Sequence, residues 1–408
     1  MTMPALAQPR NAPSLPSVRR RQCMLAALCL CIAGPGTAAP AAADSAGPAA
    51  LDTAVREAAR QFMREQDIPG LAVGLSIDGQ ARLYHYGVAS KATHQPVTGD
   101  TLFEIGSISK TFTATLAAYA QAAGKLSLRD PTARHVPELA GSRFGEVPLL
   151  HLATHTAGGF PLQVPDHIQD TAQLYGYLRA WQPRYPAGAR RTYANPSIGM
   201  LGVAAARSLG QPYRDAAAAL FGQLGLSSTY IAVPAAAMGR YAQGYNRQDA
   251  PVRLNPAVLA DEAYGVKTSA RDLLRFVELN LGVRTAGPTL DRAIAATHTG
   301  YFRYGPMTQD LVWEQYAYPV TLDALLQGNG PDMVFEDKPV VALDPPQPPG
   351  QHVLINKTGS TNGFGAYAAL VPARRIGIVV LANKGHPIEA RVRFAYRVLE
   401  AARRASEP

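Results

Sequence analysis

The chain has 408 residues, 47% of them hydrophobic and 17% charged, with a formal net charge of +9. That length can bury a sizeable core, and that composition excludes a disordered chain. Residues 1–43 hold four arginines and no acidic residue, so the rest of the chain carries only +5, with no basic run interleaved with aromatics to support nucleic-acid binding.

The first element in chain order is a leader. Arg19, Arg20 and Arg21 precede an apolar run from Cys23 to Ala33, and small residues follow at Thr37–Ala39 and Ala41–Ala43. This is the order of a secretory signal peptide, and the run is too short for a stable membrane span. The general secretory route is the first reading, and the paired arginines leave a twin-arginine signal as the second. All three cysteines (Cys23, Cys29, Cys31) lie in this leader. The mature chain therefore has no disulfide, thiolate metal site or cysteine nucleophile.

Residues 51–66 have the spacing of an amphipathic helix. LAVGLSI (71–77), Asp78-Gly79 and QARLYHYGVAS then form a predicted β-hairpin. Ala/Leu-rich helical segments joined by Pro/Gly turns fill the middle. Near the C-terminus, 352–356, 365–371 and 376–383 are predicted strands, PPQPPG (345–350) is a predicted exposed loop, and 389–404 a closing helix. Strands at both ends and helices between imply an α/β (α+β) fold. Its mixed antiparallel sheet is flanked by terminal helices, with a helical lobe inserted at roughly 105–320 and a single domain over 44–408.

FEIGSISKTF (103–112) sets Ser107 three residues before Lys110. If Ser107 opens a helix, the two share a face. A serine hydroxyl is a weak nucleophile until a neighbour takes its proton. A lysine crowded by apolar groups and cations can serve, because burial favours its neutral form. Alone, the spacing is common on solvent-facing helices. Its apolar neighbours Ile105, Ile108 and Phe112 set this one apart. Lys357-Thr358-Gly359 follows a strand and would present an ammonium and a hydroxyl at its edge, the glycine permitting close approach. Lys267-Thr268-Ser269 looks similar, but Ser269 with Asp272 reads as a helix N-cap. Tyr193 and Asn195 in TYAN point the same way if extended. A phenol near two lysines would be acidified and could act as a base.

The order SxxK, YxN, KTG, with LLHLATHTAGGFPLQVPD, EAYGVKTSARD and GIVVLANKGHP around it, resembles the class C (AmpC-type) serine β-lactamases. The likeness covers roughly residues 55–400. It implies that Ser107 is the nucleophile, that Lys110 assists proton removal with Tyr193 as the candidate base, the two acting together, and that Lys357 with Thr358 meets the substrate carboxylate. Gly359 allows the ligand close, and the N–H groups of Ser107 and Ser360 form the oxyanion hole. Gln163 and Asn195 match positions that hold the substrate side-chain amide, Tyr264 a wall of its pocket, and Arg391 a residue near the carboxylate end. The family often has Asn where this chain has Ile388, and Leu where it has Thr192. The resemblance also implies a periplasmic monomer acting on β-lactams, with a preference for cephalosporins, no cofactor and no membrane anchor after leader removal.

Three rival readings stand beside it. His151 and His155 have the spacing of two zinc ligands on a helix, but position 152 is Leu where a metalloprotease needs Glu, so packing or surface roles are expected. An esterase or D-Ala-D-Ala carboxypeptidase would use the same acylation residues. A catalytically dead penicillin sensor would need a missing catalytic residue, and none is missing.

Overall fold

A computed structural model describes residues 48–406. The leader assigned to residues 1–43 lies outside the described residues. Nine strands make one large sheet: β1 (Gly70–Ile77), β2 (Gln80–Gly87), β3 (Gly300–Tyr304), β4 (Met307–Gln309), β5 (Glu314–Ala317), β6 (Val341–Gln347), β7 (Val353–Ser360), β8 (Gly365–Val371) and β9 (Ile376–Ala382). Their spatial order is β6-β3-β4-β5-β7-β8-β9-β1-β2, and every neighbouring pair is antiparallel. The helices that matter for the site are α1 (Pro48–Glu65), α2 (Ser109–Ala122), α3 (Leu149–Ala153), α4 (Asn195–Ser208), α5 (Ala270–Asn280) and α6 (Ile388–Ala405).

The β1–β2 hairpin turns at Asp78-Gly79, both with positive φ (53° and 77°), as a tight two-residue turn requires. The strand alternation divides the core. Val379 and Leu381 of β9 join the cluster on the lobe side, with Phe112, Phe276 and Ile105. Ile376, Ile378 and Val380 face the other cluster, with Val55, Phe62 and Phe394 of α1 and α6. Both sides of the central strands are covered, which is why those strands read as continuous apolar runs.

Two segments differ from the sequence expectation. Strands β3 to β5 occupy 300–317, inside the stretch assigned to the helical lobe. Their buried positions include Thr308, Gln309, Glu314 and Gln315, so the apolar alternation that signals a strand is missing. The PPQPPG segment is not wholly loop, since Pro345, Pro346 and Gln347 close β6. That strand lies at the sheet edge, where proline removes no ladder bond, and pairs with β3 through an irregular register between Ala342 and Gln347.

Helix α2 is buried almost all round, from Ser109 through Ala120. Phe112 stacks on Phe276 of α5 at 4.2 Å between ring centroids and meets Phe221 edge-on at 5.2 Å. A helix apolar on all faces belongs in the interior. This one carries Lys110 there with it.

Candidate active site

Ser107 sits in a single 3₁₀ turn, Gly106–Ile108, that leads into α2. The last residues of β7 lie directly against that turn. A Cβ on Gly359 would sit 1.9 Å from the Ile105 carbonyl oxygen, and one on Gly106 would sit 2.4 Å from the Ser360 oxygen. Gly106 also has φ +49°. Only glycine satisfies both demands there. Strand β5 pairs with Val353–Asn356 and stops, so from Lys357 to Ser360 that edge of β7 has no strand beside it. The Thr361 N–H donates to the Phe364 oxygen at 3.1 Å. Antiparallel alternation then turns the Ser360 N–H the other way, toward the Ser107 turn.

Lys110 is fully buried, and its Nζ donates to Ser107 Oγ and to the Ala263 carbonyl, each at 2.9 Å. Burial pulls the ammonium down from its ordinary 10.5 to about 8; Lys357 pushes the same way, while Tyr193 and Glu314 oppose. Tyr193 is 6% exposed and ringed by cations: Lys110 Nζ at 5.3 Å, Lys357 Nζ at 5.2 Å and Arg191 Cζ at 5.3 Å from its ring centre. Burial alone would raise the phenol. Lys110, Lys357 and a hydrogen-bonding interaction with Ser107 outweigh it and bring the phenol to about 8. The two groups interact strongly, so they titrate as a pair and not one at a time. The arrangement can take a proton from Ser107 without any residue leaving its place.

Lys357, 2% exposed, has Glu314 Oε1 at 3.5 Å; the same oxygen accepts from Arg191 Nη2 at 2.9 Å. Arg191 is anchored further by Gln309 Oε1 and the Met333 carbonyl, both at 2.7 Å. Glu314 and Arg191 are site residues the sequence reading missed. Arg191 adjoined the tyrosine motif, and that was its only signal. Glu314 had none, since its role exists only through partners remote in sequence.

The tyrosine segment turns into α4 at Ala194, which is extended, so Asn195 is the first helical residue. Its N–H donates to the Leu162 carbonyl at 2.9 Å, which brings the exposed Gln163 next to Asn195. The buried Asn195 Oδ1 has no partner among the described residues. The half-buried Tyr264 directly follows Ala263, the residue whose carbonyl holds Lys110. Thr358 is half-buried and Ser360 exposed. Arg391 differs from the expectation of a substrate contact. Its guanidinium is fully buried beneath β7 and donates to the Gly359, Ala366 and His386 carbonyls. It shapes the strand that would meet a ligand.

The histidines have other work. His151 Nδ1 bonds Thr156 Oγ1 at 2.8 Å, and His155 Nδ1 faces the Ala194 N–H at 3.2 Å. Lys267 lies away from the serine, its Nζ bonded to the Ile231 and Gly265 carbonyls, and Ser269 caps α5 through the Asp272 N–H.

The β-lactamase family profile matches residues 55–403. A β-lactamase of Lysobacter lactamgenus is 51% identical over 354 residues, covering 86% of this chain and 92% of its own length. The chain belongs to the β-lactamase family, in its class C branch. A crystal structure of a class C β-lactamase in complex with cefoxitin superposes with a TM-score of 0.84 at 48% identity, covering 86% of this chain and 99% of that one. A structure of a β-lactamase/D-alanine carboxypeptidase from Pseudomonas syringae gives 0.85 at 54% identity, with the same coverage.

Two departures from the class C pattern have physical accounts. Ile388, in place of the frequent asparagine, opens α6 and packs against the apolar cluster beneath the sheet. Thr192, in place of leucine, donates its hydroxyl to Asp337 Oδ1 at 2.7 Å. Asp337 also holds Tyr185 and Arg184, and the adjacent Lys338–Pro339 pairs with Arg190–Arg191. The β-lactamase tyrosine segment is thus tied to the loop before β6. Among the described residues no helix is long and apolar enough to cross a membrane.

Proposed function

We propose that this class C β-lactamase hydrolyses its substrates through a serine acyl-enzyme and prefers cephalosporins. Ser107 Oγ attacks the lactam carbonyl carbon as its proton passes to the Tyr193–Lys110 pair. The tetrahedral oxyanion receives the N–H groups of Ser107 and Ser360. The C–N bond breaks, and the ring nitrogen takes the proton from the pair. Water then attacks the ester carbonyl, losing its proton to the same pair, and Ser107 leaves with that proton as the product carboxylate departs. Lys357 and Thr358 meet the substrate carboxylate across the bare edge of β7, where Gly359 keeps the approach open. Gln163 and Asn195 hold the side-chain amide against Tyr264, and Arg391 supports the strand from beneath. The enzyme acts as a periplasmic monomer after loss of the leader.

The observation that carries this reading is the convergence of Lys110 on Ser107 at 2.9 Å beside a phenol drawn down by two lysines. Nitrocefin hydrolysis by the mature protein in EDTA tests it. Multiple turnover is expected, with a loss of at least about 10⁴-fold in folded Ser107→Ala. Retained turnover in the variant refutes the serine mechanism. A second reading, D-alanine carboxypeptidase activity, is favoured by the likeness to the Pseudomonas syringae protein. A single stoichiometric burst with nitrocefin, together with turnover of a D-Ala-D-Ala peptide, would select it.

A further inference from the structure

We propose that His155 is the positioning residue for Tyr193, gripping the peptides on both sides of it and backing its ring. The proposal rests on the reading of Tyr193 as part of the proton-accepting pair. Three contacts carry it. The His155 carbonyl accepts the Thr192 N–H at 2.8 Å, on one side of Tyr193. The His155 Nδ1 accepts the Ala194 N–H at 3.2 Å, on the other. The imidazole lies on the phenol ring, with centroids 4.3 Å apart and planes 33° apart. One residue thus fixes the main chain before Tyr193, the main chain after it, and one face of its side chain.

The backbone and the protonation state of His155 fit this role. Its φ is +60°, a left-handed conformation that non-glycine residues adopt at a cost and that tends to persist where the surroundings hold it. It follows α3, which ends at Ala153, and leaves the His155 carbonyl accepting the Thr192 N–H. Because Nδ1 accepts, the neutral ring carries its proton on Nε2. That nitrogen is buried and has no partner among the described residues. Burial holds the imidazole well below its ordinary range. Arg191 beside Tyr193, Lys110 on α2 and Lys357 on β7 add to this, and Glu314 on β5 pairs with Arg191 and Lys357. A protonated ring would lose the lone pair that accepts from Ala194 and would set a further cation against the phenol. The ring therefore works as a neutral acceptor. Its consequence is distance, because Tyr193 is acidified by cations 5.2 and 5.3 Å from its ring, and a small swing away from them returns the phenol toward its ordinary value.

The test compares three variants by NMR titration of ¹³Cζ-labelled tyrosine, with Tyr193→Phe assigning the signal. His155→Asn suits a left-handed backbone and offers Oδ1 to the Ala194 N–H. It is expected to titrate Tyr193 near the wild-type value and to keep kcat/KM within about threefold. His155→Phe keeps a ring on the phenol but no acceptor. It is expected to raise the Tyr193 pKa, shift the acid limb of the kcat/KM profile to higher pH, and lower kcat/KM at pH 7 at least about tenfold. If His155→Phe does not fold, His155→Gly removes acceptor and ring together without the backbone penalty. A folded Phe or Gly variant with wild-type Tyr193 titration overturns the proposal, and so does an Asn variant as impaired as these two. The titration needs no turnover, so it can succeed or fail whatever the substrate of the enzyme proves to be.

Discussion

Two Lys-Thr pairs on strands, Lys267-Thr268 and Lys357-Thr358, look alike in sequence, and both lysines are buried. Their surroundings differ. Lys267 lies on a short strand between Phe103–Glu104 and Thr229–Tyr230, and its Nζ spends its hydrogen bonds on two carbonyls. Lys357 lies where β5 has stopped pairing, faces a phenol, and among the described residues has a single ion pair, at 3.5 Å to Glu314. The first ammonium is consumed by structure. The second retains capacity for a ligand. Burial marks both, so it is their partners that distinguish the two lysines, and the proposed mechanism gives a ligand to Lys357 alone.

Three experiments press on that difference. Lys357→Ala is expected to lower kcat/KM by about 10²–10³-fold with the fold retained. It also moves the pH profile. In the proposed mechanism activity is expected to fall as the Tyr193–Lys110 pair takes up its last proton, around pH 8. Lys357 lowers the pKa of both members, so its removal raises both, and the acid limb shifts to higher pH. An unshifted limb would place Lys357 outside the electrostatics of the pair.

Glu314→Gln reverses the sign. The carboxylate raises the pKa of both Tyr193 and Lys110, so its loss shifts the limb to lower pH. The cost in kcat/KM at pH 7 is smaller, about tenfold or less, and comes from a Lys357 that has lost its counter-ion. A shift in the same direction as Lys357→Ala would contradict this arrangement. The smallest effect on catalysis is expected from Lys267→Met. Two carbonyls lose a donor at a cost of about 1 kcal/mol of stability, read from the urea midpoint. The kcat/KM of the folded protein should stay unchanged, and a large fall would erase the distinction between the two lysines.

The sequence carried the parts of this fold whose signals are local. Asp78-Gly79 announces its turn because two consecutive positive φ angles have few other solutions. The runs at 365–371 and 376–382 announce a covered sheet because nothing polar interrupts them. Lys110 stood out as a charge among apolar neighbours. Strands at 300–317 were hidden because polar residues occupy buried positions on them, as Gln309 and Glu314 do in holding Arg191. Arg391 matched a family position, yet its burial under β7 could not be read from a motif. His155 was visible as half of a histidine pair for which packing or surface roles were expected, and its geometry ties it to the tyrosine segment.

The seam between Gly106 and Gly359 has a bearing on how such an enzyme can change. There the sheet and the serine turn meet main chain to main chain, with no side chain to trim or enlarge. Any Cβ on either side would wedge the nucleophile away from Lys357, so the gap between them acts as a fixed gauge. Adaptation to bulkier or smaller substrates therefore has to proceed at the rim, at exposed positions such as Gln163 or on the loop tied down through Asp337. At the seam itself, no side chain is available through which a substitution could retune the spacing.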